Sequence, residues 1–284
     1  MKNYLLVALD IDGTLLTSDK KVSINSIKYI DEASKRGIHI AYCSGRAPAE
    51  MQDLIKILPS IRYGICMSGA LVYDFKENKI IYANSISKEL VKKIIEVSKD
   101  DDGMIQFLTD KESIVREDQI THMSDFNMGI YQPMYLQIAK TVKDMSIEAE
   151  KYDDIPKVNI YFHSIQARQK VYEKIKDLPI SISFGEKTAL EINAKNVDKG
   201  KGLSALANYL GINNSQIIGI GDSDNDVSFL KIVGLPIAMG NANDKVKAIC
   251  KIISDDNDHD GVSKSIKKYC LENWNIYLCF LISK

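Results

Sequence analysis

The sequence has no excess of either charge: 37 Lys and Arg stand against 38 Asp and Glu, for a formal net charge of −1. Such a balance carries no electrostatic footprint for nucleic acid or for an anionic membrane surface. No apolar run approaches the ~18 residues that a membrane-spanning helix needs. The short run Tyr4 to Leu9 ends in the charge of Asp10 and is too short for a secretory h-region. These absences lead to the expectation of a cytoplasmic protein with neither a nucleic-acid nor a membrane partner. Cysteines are few: Cys43, Cys66, Cys250, Cys270 and Cys279 are odd in number and form no C-x-x-C pair, so reduced, mostly buried thiols are expected. His39, His122, His163 and His259 are scattered, and no pair has metal-ligand spacing, which argues against zinc. There is no internal repeat and no low-complexity linker.

What is present is ordinary globular usage, 45% hydrophobic and 26% charged over 284 residues, enough for one large or two modest domains. Leu5 to Leu9 reads as a strand buried on both faces. Ser23 caps a helix running to about Arg36, and Gly37 stands where a C′ glycine belongs. Ile38 to Cys43 is a strand, Ala49 to Leu58 a helix with Pro48 in its first turn, and Tyr63 to Met67 a third strand. This alternation predicts a parallel sheet with right-handed crossovers. The middle changes character. Leu71–Phe75 with Lys79–Tyr82, and Met104–Leu108 with Ser113–Val115, read as hairpins. Helices are predicted near 88–99 and 167–176, and strands at Tyr135–Ala139, Val158–His163 and Ile180–Phe184. From Lys199 to Leu210 an amphipathic helix resumes the α/β pattern, ended by Gly211; the strand Gln216–Gly221 and a helix over Asp224–Lys231 follow. The fold class is therefore α/β, with residues 1–83 and 191–284 as core and 84–190 as an α+β insertion.

Four sites carry chemistry. At the end of the first strand stands Asp10-Ile11-Asp12-Gly13-Thr14, where ligands bind in open α/β sheets. The i, i+2 spacing lets both carboxylates face one pocket, and Gly13 permits a sharp turn. Two like charges ~4 Å apart cost about 4 kcal/mol at an effective dielectric of ~20, so the pair wants a cation or a shared proton; Mg2+, a hard ion, suits it. A bare Asp-Gly turn at a polar strand end is the less favoured alternative. Ser44-Gly45-Arg46 ends the second strand just before a helix and can hold phosphate oxygens, though on its own a plain loop is the better explanation. Asp198-Lys199-Gly200 opens a helix, where the dipole disfavours a cation, which hints at an anionic partner. Asp222-Ser223-Asp224-Asn225-Asp226 follows a buried strand. The dipole of a helix N-terminus accounts for Asp224 and Asp226, and less well for Asp222.

In order and on these elements, the four sites resemble the haloacid dehalogenase-like (HAD) superfamily of phosphohydrolases, in its Cof-type branch. Asp10-Ile-Asp-Gly-Thr-Leu resembles the first motif, Cys43-Ser44-Gly45-Arg46 the second, Val197-Asp198-Lys199-Gly200 the third, and Gly221-Asp222-Ser-Asp-Asn225-Asp226 the fourth, with Met239-Gly240-Asn241-Ala242 downstream. The resemblance spans nearly the whole core and implies a Rossmann-like parallel-sheet core with an inserted C2-type cap domain that sets substrate specificity. It implies that Asp10 is the nucleophile, forming an aspartyl-phosphate, and that Asp12 is general acid and base. Asp10, the backbone carbonyl of Asp12 and Asp222 would hold Mg2+, with Asp226 in support. Ile11, Ser44, Gly45, Lys199 and Asn225 would hold phosphate oxygens, with Arg46 as a further substrate contact. Asp12 favours an oxygen leaving group, since dehalogenases of this fold lack that second aspartate. Ser68-Gly69-Ala70 departs from the Asn-Gly-Ala that the branch often carries.

The implied activity is a magnesium-dependent phosphatase of small phosphomonoesters: sugar phosphates, nucleotides or phosphorylated cofactors. A phosphomutase of the same fold and a non-enzymatic phosphate-binding module are the competing readings; Asp12 speaks against a mere binder, which needs no general acid. A monomer or weak homodimer is expected. Asp256-Asn-Asp258-His-Asp260-Gly261 copies half an EF-hand loop, but position 12 is Lys267, so a solvated loop is expected, with Asp260 as a cap for the last helix. Asp100-Asp101-Asp102-Gly103 reads as a turn. The stretch from Asn273-Trp274 to Ile282 is unusually apolar for a tail.

Overall fold

The computed structural model describes residues 4–101 and 103–272; the apolar tail and Cys279 lie outside them. The described residues divide into two compact units, one of residues 4–45, 53–82 and 198–272, the other of 46–52 and 83–197.

The first unit opens with β1 (Leu6–Leu9), four buried residues in a row, as a strand covered on both faces requires. Helix α1 (Ile24–Lys35) follows, capped by Ser23, whose side chain accepts the Ser26 N–H, and closed by Gly37 at φ +82°. Then come β2 (His39–Cys43), α2 (Gln52–Ile57), β3 (Tyr63–Cys66) and the hairpin of β4 (Leu71–Asp74) and β5 (Lys79–Ala83). The helix expected from Ala49 starts as a 3-10 turn, Pro48–Met51, and becomes α-helical at Gln52.

The second unit contains β6 (Ile86–Ser87), α3 (Lys88–Ser98), β7 (Met104–Leu108), β8 (Ser113–Arg116), α4 (Gln132–Ile138), β9 (Ala139–Val142), α5 (Met145–Ala149), β10 (Asp154–Ile155), β11 (Lys157–Tyr161), α6 (Ile165–Ile175), β12 (Ile180–Ser183) and β13 (Ala189–Ala194). Its main sheet has the order β12-β13-β11-β7-β8-β9, antiparallel except where β8 meets β9. The strand expected at Tyr135–Ala139 is instead helix α4, with Pro133 in its first turn. Tyr135 is buried in a cluster with Met104, Met123 and Tyr161, and that packing outweighs the residue's strand propensity. Strand β13, which the sequence reading did not assign, pairs with both β11 and β12 and carries the second unit on to Val197. At the expected turn near Asp100, Lys99–Asp101 forms a 3-10 turn in which Asp101 takes ion pairs from Lys170 (2.6 Å) and Lys174 (3.1 Å).

The chain then returns to the first unit through α7 (Lys199–Leu210), capped by Asp198 and ended by Gly211 in the left-handed region. It continues with β14 (Ile217–Gly221), α8 (Val227–Leu230), β15 (Leu235–Ala238), α9 (Asp244–Ile249), β16 (Ile252–Ile253) and α10 (Gly261–Ile266). Among the described residues the core sheet has the order β16-β15-β14-β1-β2-β3-β4-β5, parallel from β16 to β3, with β4 antiparallel to β3. The carboxyl ends of β1, β2 and β14 thus adjoin, bringing Asp10, Ser44 and Asp222 to one edge of the sheet. Cys43, Cys66 and Cys270 are buried free thiols and Cys250 is half-buried.

Candidate active site

Asp10 follows β1 directly, its N–H donating to the Ile220 carbonyl at 3.0 Å, so the backbone at the site is fixed by the β1–β14 ladder. The side chain is buried, as are Lys199 and Asp226. Lys199 Nζ lies 2.7 Å from Asp10 Oδ1 and 2.6 Å from Asp226 Oδ1, and donates to Asn225 Oδ1 at 3.2 Å. The cation at a helix start, unfavourable for the dipole, is therefore explained by two buried carboxylates. Oxygens of Asp10, Asp222 and Asp226 lie within 4.8 Å of one another. Thr14 Oγ1 donates to Asp222 Oδ1 at 3.0 Å, a role the sequence reading left unassigned. Gly13 has φ +78°, and a Cβ there would stand 2.5 Å from Asp222 Oδ2, so the turn demands glycine for both conformation and space.

Asp226 is more than a favourable charge at a helix start. Its Oδ2 accepts the N–H groups of Asp222 (2.9 Å) and Ser223 (3.0 Å), which closes the loop after β14. Asp224, by contrast, is exposed and pairs with Lys245 at 3.0 Å, as the helix-dipole explanation expects.

Electrostatics follow from this crowding. Burial, then the Asp226 charge, pushes the Asp10 carboxyl well above its ordinary range against the pull of Lys199. Burial and Asp226 likewise push Asp222 up to about 6, with the Thr14 hydrogen bond working the other way. Burial alone would lower Lys199, but Asp10 and Asp226 carry it upward. Two of the three carboxylates, Asp10 and Asp226, thus share one buried ammonium, and the all-oxygen donor set of the three suits a hard divalent cation.

Asp12 is half-buried, and its carboxylate pairs with Lys20, Nζ to Oδ1 2.9 Å. Ile11 is buried. Ser44 is buried at the end of β2; its N–H donates to the Ile65 carbonyl at 2.8 Å and its carbonyl accepts the Ser68 N–H at 3.0 Å. Gly45 is half-buried and is the last residue of its segment of the first unit. Arg46, also half-buried, opens the segment that groups with the second unit. Met67, Ser68 and Gly69 all have positive φ (52°, 60° and 99°), a stretch in which asparagine would be less strained than serine at 68.

The half EF-hand sequence is a clasp within the first unit. Asp258 accepts from Ser18, and Asp260 from Ser23 (2.6 Å) and Asn25 (2.7 Å). Asp260 stands at the N-cap of α10 but makes no side-chain capping bond, because its carboxylate is committed to Ser23 and Asn25.

The family model of the haloacid dehalogenase-like hydrolases matches residues 7–266. The chain belongs to this family. It is 27% identical to the 5-amino-6-(5-phospho-D-ribitylamino)uracil phosphatase YcsE of Bacillus subtilis, over 94% of this chain and 96% of that protein. It is 25% identical to the phosphatase YwpJ of the same organism, over 92% of this chain and 98% of that protein. The crystal structure of a haloacid dehalogenase-like hydrolase from Bacteroides thetaiotaomicron has a TM-score of 0.83 at 24% identity, covering 94% of this chain and 99% of that one, a likeness of fold. Within the haloacid dehalogenase-like hydrolases, this chain is of the Cof-type phosphatase kind, a phosphoric monoester hydrolase. No helix among its described residues is long and apolar enough to cross a membrane.

Proposed function

We propose that the chain is a magnesium-dependent phosphatase that hydrolyses small phosphomonoesters through an aspartyl-phosphate on Asp10. The observation that carries this reading is the group of buried Lys199, Asp10 and Asp226 with half-buried Asp222 at adjoining strand ends. It combines a nucleophile, a fixed positive charge and an all-oxygen donor set. Asp10, Asp222, Asp226 and the Asp12 carbonyl would hold the cation, which when bound would offset the charge of the carboxylates and of the phosphate dianion.

The residues of the chain divide the remaining work. An Asp10 oxygen attacks phosphorus in line with the leaving oxygen, and Asp12 gives that oxygen a proton as the P–O bond breaks. The alcohol departs; Asp12, now ionised, takes a proton from the water that attacks the aspartyl-phosphate. Phosphate leaves and both carboxyls return to their starting states. Lys199, Asn225, Ser44 and the amides of Ile11 and Gly45 steady the phosphate oxygens, so stabilisation is prearranged rather than assembled during reaction. Arg46, and the second unit as a cap, are assigned to recognition of the leaving group. The Bacillus subtilis relative's phosphoribitylamino-uracil substrate supports a polyhydroxylated leaving group, in the range of sugar phosphates, nucleotides and phosphorylated cofactors.

The test is phosphate release from p-nitrophenyl phosphate and a panel of those three classes, with Mg2+ and with EDTA. Magnesium-dependent release that vanishes in Asp10→Asn, with the circular dichroism spectrum unchanged, is expected. Near-normal turnover in Asp10→Asn overturns the nucleophile assignment, and full activity in EDTA overturns the metal.

A further inference from the structure

The hairpin that follows Asp12 is fixed more firmly than a surface loop requires. Leu16 bridges to Val22, Thr17 N–H donates to the Lys21 carbonyl at 2.9 Å, and Lys20 N–H to the Thr17 carbonyl at 2.8 Å. At its tip, Lys20 has φ +60°, an uncommon and unfavourable conformation for a lysine, and this turns its ammonium onto Asp12 Oδ1 at 2.9 Å. Both partners are about half exposed, 49% and 41%, and such an ion pair is too weak to account for the strained backbone by its own stability. Strain of this kind persists where the surroundings over-determine it, and it clusters at working sites.

The surroundings are the loop that copies half an EF-hand. Asp258 takes both the N–H (2.8 Å) and the hydroxyl (2.7 Å) of Ser18. Asn257 Nδ2 donates to the Leu16 carbonyl at 2.9 Å. Asn241 Nδ2 donates to the Gly13 carbonyl at 2.8 Å, and Asn241 in turn accepts the Asn257 N–H at 3.2 Å. The hairpin is thus held at its root, its rising strand and its tip by residues more than two hundred positions away in sequence.

We propose that Lys20 is a positioning residue for Asp12 and that the loop 256–260 is the clamp that sets it. This rests on the reading of Asp12 as the acid and base of the reaction. Lys20 holds the carboxylate by Oδ1 and so sets its orientation. In the first step Asp12 passes its proton to the leaving oxygen as the bond from that oxygen to phosphorus breaks and the bond from Asp10 forms. In the second step water adds to phosphorus, its proton goes to the Asp12 carboxylate, and the bond to Asp10 breaks. A carboxylate that has lost this contact is less well oriented, and small misplacements of a reacting group cost about a hundredfold in rate.

The leaving group separates this role from a structural one. The specificity constant kcat/KM reports steps up to release of the alcohol, so it needs the acid for an alkyl phosphate and does not for 2,4-dinitrophenyl phosphate, whose phenolate leaves unaided. Wild type, Asp12→Asn, Lys20→Met, Lys20→Arg and Asp258→Ala are compared on both substrates. Lys20→Met should lower kcat/KM for the alkyl phosphate at least about tenfold more than for the dinitrophenyl ester. Asp12→Asn should show the same selectivity in stronger form, Lys20→Arg should restore it toward wild type, and Asp258→Ala should move in the direction of Lys20→Met. If Asp12→Asn is selective while Lys20→Met slows both substrates equally, or neither, the positioning role is overturned and the acid reading stands. If Asp12→Asn is itself unselective, the acid reading fails and the role of Lys20 with it.

Discussion

Lys199 shows how much depends on one side chain. It is among the largest fully buried residues, and its ammonium is shared between Asp10 and Asp226. Removing one partner of a buried ion pair leaves an uncompensated charge, which costs about 3–5 kcal/mol. Lys199→Met should therefore lose about that much stability in urea unfolding at neutral pH, and lose turnover as well. Because the remaining charges are all negative, added divalent cation should return part of the stability and none of the turnover. A variant as stable as the parent in EDTA would show that the two carboxylates do not depend on Lys199. Tyr42, buried on the neighbouring strand with its hydroxyl bonded to the Leu54 carbonyl, gives no comparable dependence because it brings no charge to be matched.

At the scale of elements, the approach of α7 to the turn after β3 decides where Lys199 stands. Gly69 has φ +99°, and a Cβ there would lie 2.0 Å from the Asp198 carbonyl oxygen. Gly69→Ala must push back the residue that caps α7, and Lys199 with it. Gly37 serves as the control, since it has φ +82° with nothing within 4 Å of its would-be Cβ. Both substitutions should cost about 1 kcal/mol for a left-handed alanine, but Gly69→Ala should lose about 1–3 kcal/mol more through overpacking. It should also lower kcat at least about tenfold, while Gly37→Ala keeps wild-type kcat. Equal kcat in the two variants would separate the turn from the position of Lys199. This turn also marks the limit of what could be read from the chain. The strand-end carboxylates and the misplaced lysine were legible because each depends on local pattern: a buried run, then charge. The α-helix at Gln132–Ile138 and the strand at Ala189–Ala194 were not, because Tyr135 and the β13 register are settled by partners distant in sequence. The clasp of Asp258 on the hairpin after Asp12, and of Asp260 on the start of α1, was hidden for the same reason, although its acidic residues were conspicuous.

For the whole molecule, the site sets the dependence of stability on pH. Asp10 is held well above the ordinary carboxyl range and Asp222 is raised to about 6, both by burial first and by Asp226 second. An unfolded aspartate titrates near about 3.9. From about pH 4 upward the folded protein therefore binds more protons than the unfolded chain, and stability falls as pH rises through about 6 and on through the Asp10 titration. Other carboxylates act in the opposite sense. Burial raises Asp74 and Asp101, but hydrogen bonds from Arg62 and from Lys170 and Lys174 more than reverse it, so their contribution is present above the unfolded value and is lost in acid. The protein stripped with EDTA should accordingly be most stable in mild acid, with a Tm that declines from about pH 5 to about pH 7.5. A bound divalent cation favours the ionised carboxylates and is itself a ligand of the native state, so millimolar Mg2+ should raise Tm more at the higher pH and flatten the decline. In Asp222→Asn both the decline in EDTA and the extra gain from Mg2+ should shrink, because one of the raised carboxyls and one of the oxygen donors of the site are gone together. Thermal scans at the two pH values, with and without Mg2+, decide the matter. An equal Mg2+ increment at both would mean that the cation does not bind the carboxyls whose protons it must displace. A Tm rising toward pH 7.5 in EDTA would mean that the ion-paired carboxylates Asp74 and Asp101, not the group around Asp10, govern the stability of the fold.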